Sequence, residues 1–138
     1  VYKRQISGND SRVCFSAPLA KLLEGADRGT VYVRVDYTDK SGRVYHNNYC
    51  LDKQKNMNYP KVDLQTEVRS IEGGYEVTVS TDKFARAVCL SVADNESVYS
   101  DNYFDVQPKS SVQVQVRTRL SAEAFNASLR LTCLNNEF

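Results

Sequence analysis

Acid–base hydrolysis needs two carboxylates facing each other across about 5–10 Å, one of them held protonated by apolar surroundings. Seventeen Asp and Glu residues are available. Asp27, Asp39, Glu72, Asp82, Asp94 and Glu96 fall in predicted turns, and Asp36, Glu67 and Glu76 fall at wet strand positions. Solvation accounts for carboxylates in such places, so no pair is singled out as catalytic. His46, in Tyr45-His46-Asn47-Asn48-Tyr49, is the sole imidazole, and no Ser or Cys stands before it in a nucleophile elbow. A surface or packing histidine is expected. Cys14, Cys50, Cys89 and Cys133 are widely separated, with no CxxC pair, so zinc-ligand spacing is absent and no metal site is expected. They read as small hydrophobes on strands, with a Cys50–Cys89 or Cys89–Cys133 bridge left open. Gly73-Gly74 belongs to a tight hairpin and no phosphate-cradling glycine pattern occurs, so no cofactor is expected. Nine tyrosines and no tryptophan offer flat stacking surfaces, Tyr45, Tyr49 and Tyr99 among them, although strands favour tyrosine for their own reasons. Asn9, Asn95 and Asn126 begin glycosylation sequons, of which ten asparagines give one or two by chance.

Charge names no partner. Eighteen basic against seventeen acidic residues leave +1, too little single-sign field to hold nucleic acid or an anionic membrane, and neither is expected as a partner. The balance differs along the chain, with ten basic and six acidic residues in 1–60 but eight and eleven in 61–138, which points to two units. No apolar run approaches the roughly 20 residues of a membrane span. The N-terminus lacks both an initiator Met and a signal peptide's apolar stretch, so the chain reads as an excised piece.

The elements that must position any site are strands. Val31, Val33 and Val35 alternate with Tyr32, Arg34 and Asp36, predicting a half-buried strand that hairpins through Thr38–Gly42 into Arg43–Leu51. After Pro60, Leu64–Ser70 and Tyr75–Thr81 flank a Glu72-Gly73-Gly74 turn, and Arg86–Ala93, Val98–Val106, Ser111–Thr118 and Ala127–Leu134 follow as strands at sandwich spacing. Short helices are predicted at Ser16–Glu24, with Pro18 in the first helical position and Gly25 as the stop, and at Ala122–Phe125 after Ser121. The polar run Asp52–Lys61, closed by Pro60, reads as a linker. Only about four strands precede it, short of the roughly seven of a complete sandwich. Residues 1–59 are therefore expected to be a partial β-sandwich plus linker, and 60–138 a complete antiparallel β-sandwich.

Ser100-Asp101-Asn102-Tyr103-Phe104-Asp105-Val106-Gln107-Pro108 resembles the S-D-N-Y-F-D-L-x-P-G stretch of the C-terminal immunoglobulin-like domain in β-mannosidases of glycoside hydrolase family 2. Ser80–Leu90 is similar to the strand leading toward that motif, and Tyr59-Pro60-Lys61 with Leu64 to the family's interdomain lead-in. Physically, Asp101 and Asn102 can form an Asx-type turn that launches a strand with Tyr103 and Phe104 on opposite faces, ended by Pro108. Where the family has Gly after that proline this chain has Lys109, so the turn is expected to form without a free positive φ. Asp101, Asn102, Tyr103, Phe104, Asp105 and Pro108 are thus structural motif residues.

The resemblance implies an all-β fold, an immunoglobulin-like sandwich at 60–138 preceded by the closing strands of another such module. It places the family's two catalytic glutamates in a (β/α)₈ barrel upstream, so this stretch is expected to be a non-catalytic accessory domain supporting the catalytic barrel of an exo-acting β-mannosidase. Its partners would be the other domains of that enzyme and mannosides, with a periplasmic or secreted location in bacteria and a lysosomal one in eukaryotes. Two other classes fit the same strands: a carbohydrate-binding module and an adhesion-type immunoglobulin-like interaction domain.

Overall fold

Alternation at period two makes the first hairpin. The computed structural model describes residues 5–137 and forms two compact units, one running to Asn58 and one beginning at Tyr59. In the first, β1 (Tyr32–Thr38) and β2 (Val44–Cys50) pair antiparallel in unbroken register from Tyr32 opposite Cys50 to Thr38 opposite Val44. Asp39 builds the turn, its Oδ1 accepting from the Ser41 amide at 2.8 Å and the Arg43 amide at 3.0 Å. The strand is not half-buried along its length as the alternation predicts. Val33 is partly covered, but Val35 and Tyr37 are each 59% exposed, because the hairpin is the whole of its sheet and no second layer of this unit covers that face.

The helix predicted over 16–24 is shorter: α1 spans Leu19–Leu23, with Pro18 at the cap rather than inside, and none of its residues is buried. Glu24 and Gly25, at φ 48° and 87°, end it in the left-handed region. The polar run read as a linker is not a free connector. Its first part folds back on the first unit: a 3₁₀ turn at Gln54–Asn56 is followed by Asn58, whose amide donates to the Gly29 carbonyl at 2.8 Å, and the Arg28 guanidinium donates to the Leu51 carbonyl at 2.8 Å.

The second unit is a sandwich. One sheet has the order β3-β4-β8-β6, formed by β3 (Gln65–Ile71), β4 (Gly74–Thr81), β8 (Ser110–Arg117) and β6 (Val98–Tyr99). The other has the order β7-β5-β9, formed by β7 (Phe104–Val106), β5 (Ala85–Ser91) and β9 (Arg130–Thr132). All pairings are antiparallel. Tyr75, Val77, Val79, Val114 and Val116 from the first sheet meet Ala85, Val88, Leu90, Phe104 and Val106 from the second in one core, and burial of these side chains is the main force holding the layers together. Gly74 is required in β4 because a Cβ there would collide with the Val116 carbonyl oxygen on β8.

Two predicted strands are corrected. Val98–Val106 is two short strands serving opposite sheets, since the chain crosses the sandwich between Tyr99 and Phe104. Ala127–Leu134 is mostly not strand: α2 (Ala122–Ser128) continues through its start, β9 keeps three residues, and α3 (Leu134–Glu137) takes the end. Ser121 caps α2, accepting from the Ala124 amide at 3.3 Å. Phe125 on α2 is fully buried and stacks on Tyr75 at 4.1 Å between ring centroids, which anchors the helix over one end of the core.

Candidate functional site

The crossing between the sheets is where the sequence motif lies. Ser100 ties its start to the first sheet, donating its amide to the Gln115 carbonyl at 2.8 Å and accepting from the Gln115 amide on its Oγ at 2.9 Å. Two residues on, Asn102 ties it to the second sheet. Its carboxamide oxygen accepts from the Leu90 amide at 2.8 Å and its nitrogen donates to the Leu90 carbonyl at 2.9 Å. One side chain thus supplies the donor and acceptor of a strand partner at a point where β7 has not yet begun. Asp101 makes the local contact expected of an Asx residue, accepting from the Asn102 amide at 2.8 Å. Asn102 makes one too, accepting from the Tyr103 amide at 3.2 Å, and in addition reaches twelve residues back.

Tyr103 then adopts φ 62°, and this left-handed residue turns the chain so that Phe104 enters the core while Tyr103 stays 71% exposed. The Tyr103 hydroxyl lies against the Cys89 sulfur, and the hydrogen bond it donates there, together with the negative charge of the Cys89 thiolate, holds that phenol above its ordinary pKa. Asp105 braces a β-bulge. The register of β5 on β7 slips between Ala85 opposite Val106 and Val88 opposite Phe104, and the extra residue puts Ala87 at φ 50°. Asp105 accepts from the Ala87 amide at 3.0 Å, and its other oxygen pairs with the Arg86 guanidinium.

Pro108 and Lys109 occupy the middle of a four-residue turn closed by the Ser110 amide donating to the Gln107 carbonyl at 3.2 Å. The expectation that this turn avoids positive φ is wrong. Lys109 stands at φ 57°, in the position where a proline-led type II turn demands the left-handed region, and its amide is held by the Thr81 carbonyl at 2.8 Å.

Every residue of the motif therefore has backbone work. Elsewhere among the described residues the candidate groups lie apart. His46 is exposed on β2 and faces Asp36, whose carboxylate is paired with Arg34 at 2.7 Å. Among the described residues no group of three or more His, Cys, Asp or Glu could hold a metal ion, and no helix is long and apolar enough to cross a membrane. A groove of about 570 Å³ between the ends of β3, β4 and β8 holds Asp63, Asp82 and Lys109, with both carboxylates exposed rather than in an apolar setting. All four cysteines are free thiols. Cys133 is buried, and that burial pushes its pKa up.

Three carboxylates hold turns. Asp94 lies below the ordinary carboxylate range through the Ser97 side chain foremost, with the Thr118 hydroxyl and two backbone amides adding to it. Asp39 is lowered first by the Ser41 hydroxyl and Asp52 first by the Lys53 amide. Of the three tyrosines considered for stacking, Tyr45 and Tyr49 are exposed on one face of the first hairpin and share it with Tyr37, whose ring centroid is 6.0 Å from that of Tyr45. Tyr99 is not available: it packs against the core of the second unit, and burial raises its hydroxyl pKa.

Two residues escaped the sequence reading. Asn135 and Asn136 bond the backbone at Pro60, Val62, Phe84 and Arg86, at separations of 49–75 residues. Only the placement of two carboxamides after a buried cysteine hints at this, and no local pattern encodes a partner so distant.

No curated protein matches the chain. The mannosidase family model, described as an Ig-fold domain, matches residues 58–137, a span that takes in both sheets of the second unit, the Asn102 crossing, the Asp105 brace and the Pro108–Lys109 turn. That family is found in the β-mannosidases of glycoside hydrolase family 2. With more than half of its length matched and an antiparallel two-sheet sandwich to carry the match, the chain belongs to the mannosidase-type immunoglobulin-fold family.

Proposed function

We propose that this chain is the non-catalytic accessory part of a β-mannosidase, an exo-glycosidase removing terminal β-mannose, and that it gives structural support to the catalytic barrel of that enzyme. The observation that carries the reading is the use made of the family motif: Asn102 and Asp105 are spent on backbone hydrogen bonds and Pro108 on a turn, and none of the three lines the groove at the ends of β3, β4 and β8. A scaffold role needs a rigid, well-braced sandwich, and these residues brace one. On the same reading residues 1–59 are the closing strands of a preceding immunoglobulin-like module plus its linker, which accounts for a hairpin whose Val35, Tyr37 and Tyr49 lie open.

The test compares the parent enzyme with and without residues 59–138. Deletion is expected to lower its melting temperature and its activity on an aryl β-mannoside, while the isolated chain shows no turnover. An enzyme equally stable and active without the domain would refute the supporting role.

A second reading has its own observation. Tyr37, Tyr45 and Tyr49 line one exposed strand face, and such a row can stack on sugar rings. Titration of the chain with manno-oligosaccharides, followed by tyrosine fluorescence, decides it: saturable quenching lost in Tyr49→Ala supports a binding module, and a flat titration removes it.

A further inference from the structure

The stretch from Tyr59 to Val62 belongs to no strand, yet it is held against the sandwich by the side chains of two residues about 75 positions later. The Asn135 carboxamide nitrogen donates to the carbonyls of Pro60 and Phe84, both at 2.8 Å, and its oxygen accepts from the Arg86 amide at 2.8 Å. Asn136 accepts from the Val62 amide at 3.2 Å and donates to the Val62 carbonyl at 3.0 Å. The Lys61 ammonium donates to the Asn136 carbonyl at 3.4 Å, and the Tyr59 ring lies 6.2 Å from that of Phe84.

The two asparagines have different surroundings. Asn135 is buried and bonded to the segment at β5, so its amide is desolvated and its loss leaves buried partners unsatisfied. Asn136 is exposed and its two bonds to Val62 compete with water, so although the Val62 side chain is part of the core, the clasp opens at the cost of that one side chain rather than of the whole core. An anchor inside and a reversible clasp outside make a catch. We propose that Asn135 and Asn136 form a latch that holds the lead-in segment Tyr59–Val62 on the domain, and that opening the Asn136 clasp releases Lys61 and Val62 while Asn135 keeps Pro60 and the sandwich stays folded.

Limited trypsin digestion of the whole chain tests this, because Lys61–Val62 is a cleavable bond inside the latched segment. Lys53 and Lys55 lie outside it, Lys83 touches it through its ammonium on the Lys61 carbonyl at 3.3 Å, and Arg117 lies within the domain on β8, away from the latch. In Asn136→Ala, cleavage after Lys61 is expected to rise on the order of ten-fold, the loss of two modest hydrogen bonds expressed as a larger open population, with cleavage after Lys53, Lys55 and Arg117 unchanged. Asn136→Asp keeps the acceptor for the Val62 amide but turns a carboxylate oxygen toward the Val62 carbonyl, and it is expected to open the latch as alanine does. Equal cleavage after Lys61 in all three proteins overturns the proposal. So does a rise after Lys61 matched by the same rise after Arg117, which marks loosening of the whole domain rather than release of a clasp.

Discussion

Asn102 and Leu90 face each other as a strand pair in which one member is a side chain, with bonds of 2.8 and 2.9 Å in the two directions. The pair fixes where the chain leaves one sheet for the other. Asn102→Ala orphans both the amide and the carbonyl of Leu90, at about 1 kcal/mol each for groups only partly buried, so a loss of about 2 kcal/mol is expected in urea denaturation. A variant within a few tenths of the parent would show that water replaces the carboxamide without cost.

Lys109 bears a Cβ in a left-handed conformation, at φ 57°. Lys109→Gly relieves about 1–2 kcal/mol of steric cost and returns part of it through the freer unfolded chain, for a net gain of about 0.5–1 kcal/mol. Thermal unfolding checks the sign. A lower melting temperature would mean that the lysine side chain contributes more than its backbone costs.

Acid should weaken the second unit through Asp94. Its pKa in the fold lies below the ordinary value of 3.8, so the native state holds the proton less well than the unfolded chain does. The resulting stability is present above the unfolded value and is lost as pH falls through the folded one. Asn at this position keeps an acceptor but cannot titrate, and Asp94→Asn is expected to flatten the decline in stability between about pH 5 and pH 2. Parallel curves for the two proteins would remove Asp94 from the acid response.

Cys133 is buried and its thiol is held up in pKa by that burial, which lowers the thiolate fraction that reacts with alkylating agents. Peptide mapping after brief iodoacetamide treatment is expected to find Cys133 unmodified in the native chain and modified in concentrated urea. Native labelling of Cys133 at the rate of Cys14, which is partly exposed, contradicts the burial of Cys133 in the core of the second unit.

Local physics was legible in the sequence wherever a partner lay nearby. Val112, Val114 and Val116 alternate with Gln113, Gln115 and Arg117, and β8 is that strand with its apolar side in the core. Ser121 announced α2, but the prediction stopped it at Phe125 because Ala127–Leu134 looked like strand; the buried Phe125 stacked on Tyr75 carries the helix on to Ser128. The motif was visible as a run of residues, while its mechanics were not. Asn102 works on Leu90, Asp105 on the bulge at Ala87, and Asn135 on Pro60, and none of these partners is within reach of a local rule. Lys109 was misjudged from residue type alone, since a preceding proline and the Thr81 carbonyl force it into a conformation it does not prefer.

The distance in sequence between Val62 and Asn136 also orders events during synthesis. A ribosome delivers β3, β4 and β5 long before it delivers β9 and the two asparagines, so β5 must wait about forty residues for one of its neighbours, and the lead-in segment waits longer still. Contacts of such high sequence separation form late and slowly, which leaves the nascent domain with an open flank until translation has passed residue 136.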